Sequence, residues 1–109
     1  MSLRQAVMMA LADKGHIVVP WGNATSQDAV IVRPGGIVSE REVVEVWIVN
    51  AYRADPDEGL AERGNAIFNE LRTMLLDITV TPGPTYDPVG AVPHSTLILT
   101  GAGRARGLG

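Results

Sequence analysis

The chain has 109 residues, of which 46% are hydrophobic and 19% charged, with no cysteine and a formal net charge of −3. At that size roughly two-thirds of the unfolded surface can be buried, enough for one core but not two; the acidic balance argues against a nucleic-acid wrapping surface, and the lack of thiols excludes disulfides and thiolate chemistry. A charged fraction below the roughly 25% usual for soluble domains, with a mean hydropathy of +0.13, leaves apolar surface for a partner to cover.

In chain order, Ser2 followed three residues later by Gln5 is a capping-box pattern, and Leu3, Val7, Ala10 and Leu11 then form one helical stripe. With Gly15 as a stop signal, a first helix is expected over residues 3–14; its interspersed charges read as neither signal peptide nor membrane anchor. Two short strands follow, Ile17-Val18-Val19 closed by Pro20, and Ala29-Val30-Ile31-Val32-Arg33 after a polar loop. Pro34-Gly35-Gly36 has turn chemistry, and the Val-, Ile-, Trp- and Tyr-rich run over residues 42–53 reads as the principal strand. Twelve residues of strand would reach about 40 Å, so one end is expected to project towards a neighbour.

Asp55-Pro56-Asp57-Glu58 combines an N-cap acceptor, a proline at the first helical position and acid at the positive end of the helix dipole. A second helix is therefore expected over 56–77, with Leu60, Gly64, Ile67, Leu71, Met74, Leu75 and Ile78 on its buried face. Thr79-Val80-Thr81 has the composition of a further short strand. Residues 82–93 hold four prolines and two glycines, a long irregular loop, and the last strand is expected over 94–100 with Leu97, Ile98 and Leu99 buried. Residues 1–100 thus form one domain and 101–109 a flexible tail rich in Gly and Arg. The fold class is α+β: a small mixed or mainly antiparallel sheet of about four to five strands packed by two helices, in the order α-β-β-β-α-β.

The supply of catalytic groups is thin. His16 falls at a helix end and His94 beside a proline, and neither has the spaced partners that a triad or metal site needs. Helix capping accounts for Asp55, Asp57 and Glu58 without a cation. The glycines around Arg104 and Arg106 follow a strand but lack the spacing, the following helix and the downstream acid of a dinucleotide loop. No catalytic residue, cofactor or metal is therefore expected, and the work should be assembly. Trp47, mid-strand, suits the core; Trp21, between Pro20 and Gly22, suits either the core or an interface anchor. The surfaces expected to meet other subunits are Trp21; the Pro34, Gly35, Gly36 segment; Tyr52 and Arg53 at the end of the long strand; Pro84, Tyr86 and Pro88 in the proline-rich loop; and Arg104 and Arg106.

The helix over 3–14, the strands Ala29-Val30-Ile31-Val32 and Val43-Val44-Glu45-Val46-Trp47-Ile48-Val49, and the helix over 60–78 together resemble the tail terminator (tail completion) proteins of long-tailed bacteriophages. The likeness spans about residues 2–100 and is one of element order and size, without a diagnostic motif. It implies copies of the chain, six in number, forming a ring that caps the tail tube and meets the head-side connector. Those two proteins would be its partners, no membrane would be involved, and DNA would pass through without specific binding. The location implied is the tail or neck of a virion assembled in the host cytoplasm. A neck or head-to-tail joining protein of the same particle shares these demands. From other classes, a nucleic-acid-binding domain would use Arg104 and Arg106 and bind with steep salt dependence, and a small enzyme would need a pocket of perturbed ionisable groups.

Overall fold

The computed structural model describes residues 2–19, 27–51, 54–83 and 95–103. Six elements follow one another: α1 (Leu3–Asp13), β1 (Ala29–Val38), β2 (Arg41–Val49), α2 (Leu60–Leu71), β3 (Leu75–Pro82) and β4 (Thr96–Gly103). The four strands form one antiparallel sheet in the order β1-β2-β4-β3. The α+β class and the antiparallel sheet are as expected, while the element order is α-β-β-α-β-β. Ile17-Val18-Val19 contributes a single parallel bridge, Val18 to Val30, in place of a strand.

Both helices lie on one face of the sheet, α1 over β1 and β2 and α2 over β4 and β2. Alternation along the strands aims Val30, Val32, Val44, Val46, Ile48 and Leu99 at them, where they meet Val7, Leu11, Leu60, Ile67 and Leu71. Helix α1 starts as its sequence predicts: Gln5 N–H donates to Ser2 Oγ and Ser2 N–H to Gln5 Oε1, both at 3.1 Å. A second acceptor comes from far along the chain, because the Glu42 carboxylate on β2 takes the Leu3 and Arg4 N–H groups at 3.0 and 3.3 Å. The helix ends in a Schellman arrangement, with Gly15 N–H donating to Ala12 C=O and His16 N–H to Leu11 C=O.

Four local expectations are corrected. Pro34-Gly35-Gly36 is a bulge inside β1: the register shifts between Pro34 and Ile37, Gly36 has φ +90°, and a Cβ on Gly35 would sit 2.8 Å from Val43 Cγ1. The reversal comes three residues later at Ser39 and Glu40, whose φ values of 51° and 65° make a two-residue turn of the type I′ kind. Helix α2 starts at Leu60 and not at residue 56, because Gly59 enters the left-handed region at φ 77° and breaks helical continuity; Asp55 Oδ1 instead accepts the Asp57 N–H at 3.2 Å within the preceding turn. The helix also stops at Leu71. Leu75 and Ile78 belong to β3, a full strand where residues 79–81 alone were expected. Gly101, Ala102 and Gly103, placed in the tail by the sequence, extend β4, held by pairing with Val44, Val43 and Leu75.

The principal strand is β2, but it ends at Val49; Asn50 leaves the sheet and is fully buried. Its Nδ2 donates to Pro56 C=O (2.9 Å) and Glu58 C=O (3.0 Å), and its Oδ1 accepts from Arg63 Nη1 at 2.7 Å. Arg63 also reaches Ala29 C=O and Val49 C=O, and Asp28 Oδ1 takes the Ala51 N–H. One polar knot thereby ties the start of β1, the end of β2 and the first turns of α2.

The two rims of the sheet differ. On β1 the outward groups alternate from Val30, which is bonded to Ile17 and Val19; Arg4 Nε donates to the next outward carbonyl, Val32, and the position after that is Pro34, which has no N–H to offer. On β3, Gly83 N–H turns inward to Thr96 C=O, so Val80 points its backbone groups outward and is 48% exposed.

Candidate functional site

The sheet face away from the helices divides into two halves. At the Val49 end, Ile31, Trp47 and Val49 form a small second core with Val19 and Ile98. Trp47 is core, as its sequence position suggests: its Nε1 donates to Glu45 Oε1 at 2.9 Å and the Arg33 guanidinium lies 5.6 Å from its ring centroid.

At the hairpin end the same face is open. A shallow depression of about 570 Å³ is lined there by Val38, Val43, Leu76 and Ala102 together with Ser39, Thr79 and Thr100, and Arg41 and Asp77 bring charge to it. None of these side chains is fully buried. Beside it projects the tip of the β1–β2 hairpin, where Ile37 is 76% and Val38 62% exposed, the two most exposed large apolar side chains among the described residues. Their faces differ. Ile37 stands opposite Glu42, whose carboxylate reaches α1, so Ile37 projects on the helix side; Val38 stands opposite Arg41 on the open side.

Of the residues expected at interfaces, Pro34, Gly35 and Gly36 are exposed and lie in the bulge just behind this tip. Trp21, Tyr52, Arg53, Pro84, Tyr86, Pro88, Arg104 and Arg106 lie outside the described residues, as does His94. His16 Nε2 meets Glu70 Oε2 at 2.7 Å and so links the end of α1 to α2. Ile37, Val38 and the depression were not singled out from the sequence. Ile37-Val38 after a Gly-Gly pair carries no local signal of exposure, and the depression is assembled from all four strands.

Among the described residues, no group of three or more His, Asp or Glu side chains is placed to hold a metal ion, and no buried side-chain polar atom lacks a hydrogen-bond partner. No helix among them is long and apolar enough to cross a membrane. What the site offers chemically is apolar contact and a few charges. Comparison with protein-family models, with curated proteins and with solved structures found no match to the chain.

Proposed function

We propose that this chain is a structural subunit that works by assembling with copies of itself, without bond-making chemistry, and that the assembly is the terminator ring of a long phage tail. The observation that carries the first part is the open apolar half of the sheet face beside a hairpin tip with Ile37 and Val38 exposed. Apolar groups left in water at adjoining concave and convex surfaces favour association, since removing them from solvent stabilises by about 25 cal/mol per Å². The second part rests on the resemblance that residues 3–14, 29–32, 43–49 and 60–78 bear in sequence pattern to the tail terminators. In that role the ring, probed first as a hexamer, caps the tail tube and receives the head-side connector within the virion assembled in the host cytoplasm. The net charge of −3 suits a channel through which DNA slides, because like charge limits adhesion to phosphate.

The test mixes the purified protein with polymerised tail tubes and examines the mixture by negative-stain microscopy and by mass. Rings on one end of the tubes are expected. A strict monomer that leaves tube ends bare refutes the terminator role, and rings that bind the connector but never the tube move the protein to the neck.

A further inference from the structure

We infer that the β1–β2 hairpin tip of one copy seats in the depression of the next, with Glu40 of the incoming tip against Arg41 of the receiving copy. The contact deepens the assembly reading and rests on it. Four observations lead to it. First, tip and depression are both apolar, one convex and one concave, yet Ile37 projects on the helix side while the depression opens on the other side. A copy cannot fill its own depression with its own Ile37, and a neighbour can.

Second, the charges are complementary and idle. Among the described residues Glu40 has neither hydrogen bond nor ion pair, and Arg41 has one long bond, 3.5 Å from Nη1 to Gly103 C=O. Third, Asp77 on β3 lines the depression with β4 between it and Arg41 on β2, and it repels an incoming carboxylate, which favours the orientation that brings Glu40 to Arg41. Fourth, Ser39 and Glu40 both hold positive φ without being glycine or asparagine. Asn-Gly is the pair that suits such a turn best, so Ser39 and Glu40 present their side chains at the tip at a cost in backbone strain.

Val38, Ser39 and Arg41 line the depression of their own copy, so the inserting group is Ile37 on the other face, and a contact through it leaves a free Ile37 at one end and a free depression at the other. Such a heterologous contact propagates and closes into a ring when its rotation permits.

The experiment is a charge swap read by sedimentation and native mass. Glu40→Arg and Arg41→Glu, each alone, should raise the concentration needed for assembly by at least about tenfold, because each sets like charges against each other. Mixed in equal amounts, the two variants should reassemble into particles in which they alternate. Ile37→Ser, at an exposed position, should weaken assembly without touching either charge, and far-UV circular dichroism identifies any variant that has lost its fold. Assembly unchanged in all three variants, with tube ends still capped, overturns this contact and spares the ring. Association that stops at a dimer overturns the head-to-tail arrangement. A wild-type chain that stays monomeric even with tubes present overturns both.

Discussion

Replacing Asn50 with Ala tests whether the knot at the head of α2 holds the domain together. The substitution removes two amide donors, to Pro56 C=O at 2.9 Å and Glu58 C=O at 3.0 Å, and one acceptor for Arg63 at 2.7 Å. The side chain is fully buried, so water does not replace these partners without rearrangement. Two neutral bonds at about 1 kcal/mol each and one charge-assisted bond at about 1.5–3 kcal/mol sum to a loss of roughly 3–5 kcal/mol. For a chain of this length that corresponds to a fall in Tm of roughly 13–22 °C. Urea unfolding followed by circular dichroism and tryptophan fluorescence measures it, with the slope against denaturant expected to stay constant. Arg63→Ala and the double variant complete a cycle whose coupling should exceed about 1 kcal/mol. A loss below about 1 kcal/mol for Asn50→Ala, or additive single variants, would show that the turn over 54–59 is held by other contacts and refute the reasoning.

Glu42→Ala deprives the Leu3 and Arg4 N–H groups of their cross-sheet acceptor and should cost about 1–2 kcal/mol, seen as a lower urea midpoint. Gly36→Ala forces a Cβ into φ +90° and should cost roughly 1–2 kcal/mol by thermal melting, with Gly35→Ala adding a clash against Val43. Ile67→Ala opens a cavity beneath α2 at a fully buried position and should cost about 2–5 kcal/mol in equilibrium unfolding.

What could be read from the sequence was what is decided locally. Ser2 and Gln5 lie three residues apart and cap each other, so the start of α1 was legible; the stripe Val7 and Leu11 told which way the helix faces. Pro34-Gly35-Gly36 misled because the backbone freedom that suits a turn also suits a bulge, and only the partner strand decides between them. Leu71, Met74, Leu75 and Ile78 fit a helical spacing, but Ile78 and Val80 also alternate with Thr79 and Thr81, and pairing with β4 selected the strand. Asp55 and Pro56 signalled a helix start that Gly59 postponed by four residues. The knot of Asp28, Asn50 and Arg63 and the depression lined by Val38 join residues far apart along the chain. No local pattern announces such sites, because they exist only once the strand order is set.

The unequal rims of the sheet limit what backbone pairing can build. A chain with two free rims can stack strand on strand without end, which is the geometry of fibrils. Here, among the described residues, Arg4, Pro34 and the segment around Val18 close off the β1 rim from Val30 to Pro34, while the stretch around Val80 faces outward on β3. Strand addition along the Val30–Pro34 stretch is therefore blocked, and a concentrated stock of the protein should resist conversion to cross-β aggregates through that rim even with so apolar a composition.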